Sequence, residues 1–481
     1  MNISFRRLCT SILVMAAASV SLSAAAQPIS LPTAWQQLRE QDDDVAAGQA
    51  AQQRAAALLS SSSSLLLPQI DLIGSYTHLN SPIEVDALAL NPLTSAAATV
   101  PGQLLVDLIG GPEAFTTPVT NRNIARSSLA MFWPLYTGGR ITTARDLLSL
   151  EEQAAALLLE EVYRVRFMEL VSTYYGLVMA ERALATQRQT EATLGHHYRS
   201  AQALEDQFQI ARVERLAAEA AYDRARITTR AVEEQRNSAR QALASLVHHA
   251  STQPSLAAHS PSLLVPSSPL FTLRALPPMD TFKPGLANHP GLRLLANQKA
   301  QAESVVDASR GLYQPNVFMY GSYNLYEDDS VASDLTPDWL VGVGVSVPLV
   351  DRSGRSGKVH AAVSTVVELD HRQQAAARRL ELLLDHQYRD AQQALNEYRD
   401  LASTVALAEE SLRLQELAFA EGLGRALDVI DAQTFLSATQ TRRDATAFQF
   451  VVSLAQLLSI TGQQEALFDY LSQESPSSDH S

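Results

Sequence analysis

Hydrophobic positions along this chain follow two periods. In Trp339-Leu340-Val341-Gly342-Val343-Gly344-Val345-Ser346-Val347 every odd position is large and apolar, and from Gly342 onward the even ones are glycine or serine. A period of two predicts a strand. Leu129, Met131 and Trp133 repeat the pattern before Pro134. Ile70, Leu72 and Tyr76, and Val317, Met319 and Tyr323, form matching faces in two further segments, whose opposite faces mix Gln69, Asp71, Asn316 and Asn324 with aromatics. Elsewhere the period is helical. Leu147, Leu150, Ala154, Leu157 and Leu158 recur at three- and four-residue spacing, with Glu151, Glu152 and Glu160 off the seam. The runs at about 141–205 and 358–421 contain no proline and at most two glycines. Each predicts a helix of about 65 residues, on the order of 95 Å long at ~1.5 Å per residue. Shorter helices are predicted at 33–64, from an N-cap at Thr33, and at 291–312, after Pro290.

These elements occur twice. Leu129-Ala130-Met131-Phe132-Trp133-Pro134-Leu135 and Val343-Gly344-Val345-Ser346-Val347-Pro348-Leu349 place their prolines 214 positions apart, and Glu214 in Val213-Glu214-Arg215-Leu216-Ala217 precedes Asp428 in Leu427-Asp428-Val429-Ile430-Asp431 by the same 214. One offset shared by unrelated motifs implies duplication. A third pair, the segments starting at Leu67-Pro68 and Gln314-Pro315, is offset by 247, so the first copy carries 33 more residues between its two strands. Each half reads helix, strand, loop, strand, long helix, turn, helix. The expected division is a leader at 1–26, a first repeat at 27–248 with strands at about 69–79 and 126–136, a Pro- and Ser-rich equatorial linker at 249–290, a second repeat at 291–467 with strands at about 315–326 and 338–349, and a polar tail at 468–481.

Composition narrows the class. Aromatics are 6% of the 481 residues, which suits long helices with narrow seams better than one thick core. Arg6 and Arg7, an apolar stretch from Ile12 to Val20 and Ala24-Ala25-Ala26 read as a cleaved secretory leader. That stretch is too short to span a membrane as a helix, and no later one serves. Cys9, the only cysteine, lies inside the leader, so no disulfide or thiolate metal site is expected in the mature chain. The formal charge of −14 argues against a nucleic-acid partner. His196-His197 and His248-His249 are adjacent pairs rather than the i, i+4 spacing of a helical chelate, and read as surface histidines. No phosphate loop, nucleophile elbow or H-E-x-x-H motif is present in the sequence. Neither an enzyme nor a cofactor is expected.

An apolar strand face of about ten residues matches what a barrel strand needs to cross a bilayer. Four strands per chain cannot close a barrel, and open edges are not tolerated in lipid, so several copies must share one. A soluble sheet packed on the helices, in a periplasmic coiled-coil scaffold without a pore, is the alternative. The loop at about 79–125 is long and apolar, and is read as a lid over the outer mouth, as a protein contact, or as plain disorder or surface packing.

The chain resembles the TolC-type outer-membrane factor family over about 31–467. The resemblance rests on Pro134-Leu135-Tyr136-Thr137-Gly138-Gly139-Arg140 leaving a strand, Asn288-His289-Pro290-Gly291-Leu292 opening the second half, and Gly422-Leu423-Gly424-Arg425-Ala426-Leu427-Asp428-Val429-Ile430-Asp431-Ala432-Gln433 at a helix turn. It implies an α+β membrane protein. Duplicated coiled-coil hairpins would form a periplasmic α-helical barrel, and four transmembrane β-strands per chain would close a shared 12-stranded β-barrel in a homotrimer. It further implies outer-membrane lipid around the barrel, a periplasmic adaptor, an inner-membrane transporter, and service as the exit duct of a tripartite efflux pump or type I secretion system. Asp428 and Asp431 would line the closed periplasmic entrance as rings of three carboxylates. The family's latching basic residue falls on Gly424, beside Arg425, and its aromatic on Phe419, which lacks a hydroxyl. Gly422, Leu423 and Gly424 would form one adaptor-contact tip. The equivalent turn, with Ile210, Ala211 and Arg212, has no glycine, so the two tips are expected to differ.

Overall fold

The structure is a computed structural model that describes residues 27–86, 116–247, 264–328, 333, 337–350 and 354–474. The expected leader, the centre of the first loop at 87–115, His248-His249 and the second half of the tail, 475–481, lie outside the described residues. In chain order the elements are β1 (Gln27–Ile29), α1 (Leu31–Gln41), α2 (Asp43–Ser61), β2 (Gln69–His78), β3 (Glu84–Asp86), β4 (Thr116–Pro118), β5 (Asn123–Tyr136), α3 (Arg140–Asp206), α4 (Arg212–Val247), β6 (Leu264–Pro266), α5 (Pro290–Gly311), β7 (Asn316–Glu327), β8 (Trp339–Ser346), α6 (Arg355–Ala420), α7 (Ala426–Ile460) and α8 (Ala466–Glu474), with short 3-10 turns at Ser62–Leu66, Met279–Thr281 and Lys283–Asn288. α3 has 67 residues and α6 has 66. The chain divides into two units, one of residues 48–160 and 290–378, the other of residues up to 47, 161–289 and 379 onward.

The first unit holds an antiparallel sheet in the order β2-β5-β7-β8. Its register aligns the period-two positions of all four strands on one face. Leu72, Leu129, Tyr323 and Trp339 form one row, and Ile70, Met131, Gly321 and Val341 the next. The other face explains the glycines of β8. A Cβ on Gly344 would lie 2.5 Å from Phe318 Cζ, and one on Gly342 2.7 Å from Tyr320 Cζ. The aromatic rings of β7 therefore occupy the space that β8 leaves empty. β8 ends at Ser346 rather than near 349, because Pro348 has no N–H to continue a ladder. β3 and β4 form a two-stranded ribbon in the first loop that the sequence reading missed. Gly138 and Gly139, at φ 63° and 80°, turn the chain from β5 into α3.

The second unit is built on a hydrophobic core that includes Leu31, Trp35 and Leu38 of α1, Phe167, Tyr174 and Tyr175 of α3, Leu243 of α4, and Phe450, Leu454 and Leu457 of α7. Each large apolar side chain removed from water contributes roughly 1.5–3 kcal/mol. Leu264, Phe271, Leu273, Phe282 and Leu286, from the stretch read as linker, are buried in the same core. β1 pairs in parallel with β6. Tyr174 Oη donates to the Ile29 carbonyl and accepts the Ser268 N–H, both at 2.8 Å. The predicted Thr33 cap is corrected: Ser30 is the N-cap of α1 and its Oγ accepts the Thr33 N–H. The expected single helix at 33–64 is broken at buried Asp42, whose Oδ1 accepts the N–H groups of Asp44 and Val45 and starts α2, while Arg166 pairs with its other oxygen at 2.8 Å.

Candidate functional site, the two helix-hairpin turns

α3 and α4 are joined by a turn at 207–211, and α6 and α7 by one at 421–425. Both close with the same pair of backbone bonds. At the first, Phe208 N–H donates to Glu205 O at 2.8 Å and Gln209 N–H to Leu204 O at 2.9 Å. At the second, Gly422 N–H donates to Phe419 O at 3.0 Å and Leu423 N–H to Ala418 O at 2.8 Å. This is the Schellman helix stop, which needs a left-handed residue just past the helix. Gly422 supplies it at φ 72° without strain, whereas Phe208, 214 positions earlier, is driven to φ 59°. Phe208 is 96% exposed and Leu423 86%. Ile210 packs partly buried against the local core, while Ala211 and Arg212 are exposed. Sequence reading could not find Phe208, since nothing in residue preference places phenylalanine in that region.

Gly424 is crowded rather than strained. A Cβ there would lie 3.1 Å from Phe419 N and 3.2 Å from the Ala418 carbonyl carbon. A long basic side chain therefore does not fit without a shift of the turn, and the basic group sits one position later. The Arg425 guanidinium pairs with Asp428 at 2.8 Å, and the Arg425 N–H donates to Asp428 Oδ2 at 3.2 Å. These two hydrogen bonds and the cation hold the Asp428 carboxyl below its ordinary range. Asp431 is exposed one turn further along α7. Phe419, expected at the entrance, is 2% exposed and lies in a small core with Ala201, Ala218, Ala426 and Val429.

The first hairpin grips the second at several points. Glu214 accepts the Ala426 N–H at 2.8 Å, Gln433 donates to Thr190 Oγ1 at 3.1 Å in a buried contact, and Arg182 pairs with Asp444 at 2.9 Å. The surface reading of the adjacent histidines is half right. His196 is exposed, but His197 is 5% exposed and its ring centroid lies 4.5 Å from that of Phe419. Neighbours on a helix point about 100° apart, so one faces water and the other the second hairpin.

The fold these elements define is one found in solved outer-membrane channels. The fold is shared with CusC (TM-score 0.70, 13% identity, 90% of this chain and 91% of that one), with the Campylobacter jejuni CmeC outer membrane channel (0.71, 14%, 93% and 89%) and with the open state of the Neisseria gonorrhoeae MtrE outer membrane channel (0.68, 17%, 90% and 89%). Residues 285–463 match the outer membrane efflux protein family. The chain is also 27% identical over 182 residues to Nodulation protein T of Rhizobium leguminosarum bv. trifolii, a match that spans 36% of this chain and 38% of that relative's length. These family and fold neighbours are transport channels rather than enzymes.

Proposed function

We propose that three copies of this chain form an outer-membrane channel through which a tripartite efflux pump or a type I secretion system discharges its cargo. The reading is carried by the sheet. Its aligned face is apolar across four strands, Ile70, Leu72, Trp339, Val341, Val343 and Val345 are exposed in the single chain, and β2 and β8 are edge strands. Lipid tolerates neither an open edge nor an unpaired backbone. Pairing β8 of one copy with β2 of the next would satisfy every edge, and three copies would give twelve strands. The same surface in a water-exposed scaffold would be an aggregation site.

On this reading the helix hairpins are periplasmic. Asp428 and Asp431 line the entrance as carboxylate rings that favour cations, with Arg425 moderating the charge of Asp428. The turns carrying Gly422, Leu423 and Gly424, and Ile210, Ala211 and Arg212, meet a periplasmic adaptor that couples to an inner-membrane transporter. Fractionation of cells expressing the full chain tests the membrane assignment. The protein is expected in the outer-membrane pellet and released by detergent as a trimer. Quantitative recovery in the soluble fraction without detergent sinks the channel reading in favour of a periplasmic scaffold.

A further inference from the structure

We propose that His197 is an acid-sensitive catch that holds the second hairpin turn against the first, so that acidification of the periplasm loosens the tip. The inference rests on the reading of this tip as the channel's gate and supplies a regulation for it.

The catch is geometric. His197 projects from α3 into the small core of the tip, with its ring edge-on to Phe419 of α6 and close to the backbone of Ala426, the first residue of α7. The Ala426 N–H is taken by Glu214 of α4. The start of α7 is thus gripped by Glu214 and packed by the His197 ring, both from the first hairpin. His197 Nε2 is buried and has no hydrogen-bond partner among the described residues.

A neutral ring suits this setting, since it needs one donor contact and can leave its lone pair against apolar atoms. A protonated ring carries a second N–H, and a buried donor without an acceptor is strongly disfavoured. The groups facing it do not remove that penalty. Glu214, from α4, favours the charged ring; His196, on its own helix, opposes it; α6 presents the Phe419 ring; and at the start of α7 Arg425 and Asp428 are paired with each other. Burial is the largest effect, and it holds the imidazole below its ordinary value of 6.5. The gripped state therefore binds fewer protons than the released one. Its stability is complete above the ordinary imidazole pKa and is lost progressively as pH falls below it through the depressed value.

The test uses the full-length trimer in planar bilayers, with the periplasmic side stepped from about pH 7.5 to about pH 5. Asp428 stays ionised across this window, since Arg425 holds its carboxyl low. Wild-type conductance is expected to rise by about threefold or more. His197→Gln should abolish the step, and His196→Gln should keep it. Deuterium uptake at 419–433, corrected for the intrinsic effect of pH, should rise in the wild type and not in His197→Gln. His197→Asn serves if the glutamine variant fails to assemble. A conductance or uptake step of wild-type size in both His197 variants overturns the proposal, as does a wild type in which neither readout moves. A wild-type rise in uptake without a conductance step, lost on replacing His197, supports the catch and overturns instead the reading of the tip as gate.

Discussion

The Glu214 carboxylate accepts the backbone N–H of Ala426 at 2.8 Å. Glu214 is the counterpart of Asp428 at an offset of 214 residues, and the two acids have taken different partners. Asp428 binds the N–H of Arg425 at the head of its own helix, while Glu214 reaches across to the head of α7 in the other hairpin. Removing a carboxylate cap from a helix start costs about 1 kcal/mol. Glu214→Ala is accordingly expected to speed amide exchange at 426–429 several-fold, and exchange indistinguishable from wild type there would show that the contact does not hold the hairpins together.

Paired charge at the tip makes a second prediction. Asp428→Asn with Asp431→Asn should lower cation-over-anion selectivity in planar bilayers on the order of threefold, because each ring loses its focused charge. The pH dependence has a definite sign. Arg425 depresses the folded-state pKa of Asp428, so the stabilisation of that pair is present above the ordinary value of 3.8 and is lost as pH falls from there through the depressed one. Selectivity that survives the double substitution removes these residues from the conduction path.

In the sheet, aromatic rings over glycines predict a steric consequence. Gly344→Val places a side chain where Phe318 Cζ already lies 2.5 Å from the new Cβ, and overpacking of this kind costs typically 1–3 kcal/mol. A lower yield of heat-resistant trimer is expected, with partial recovery when Phe318→Ala is added. Equal yields for wild type and Gly344→Val would mean that the ring moves aside freely.

How much of this was legible beforehand depends on the range of the interactions. The strands, long helices and duplication could be read because period, proline placement and offset are local or repetitive properties of the sequence. The left-handed Gly422 was readable because glycine is the usual residue there. Gly342 and Gly344 could be seen as one strand face, but not as seats for Tyr320 and Phe318, because that depends on the β7–β8 register. The break at Asp42 was hidden because three successive aspartates, Asp42 to Asp44, do not by themselves announce which of them caps a helix. His197 and Glu214 were missed as inter-hairpin contacts because only the approach of α6 and α7 distinguishes them from exposed polar residues of α3 and α4.

Phe208 supplies the last prediction. Releasing a non-glycine residue from the left-handed region recovers roughly 1–2 kcal/mol. Phe208→Gly is therefore expected to slow amide exchange at 205–212, while Phe208→Ala, which keeps a Cβ, should not. Equal exchange in the two variants would show that the turn carries no such strain.

The matching backbone bonds of the two turns and their unlike residues, Phe208 and Gly422, bear on counting. Three copies would present six hairpin ends with a common backbone, yet only every second end would carry a bulky ring. A ring of six identical partner hairpins would meet two kinds of seat in alternation and fill them in two sets of three, so titration of such a partner should show a plateau at half occupancy.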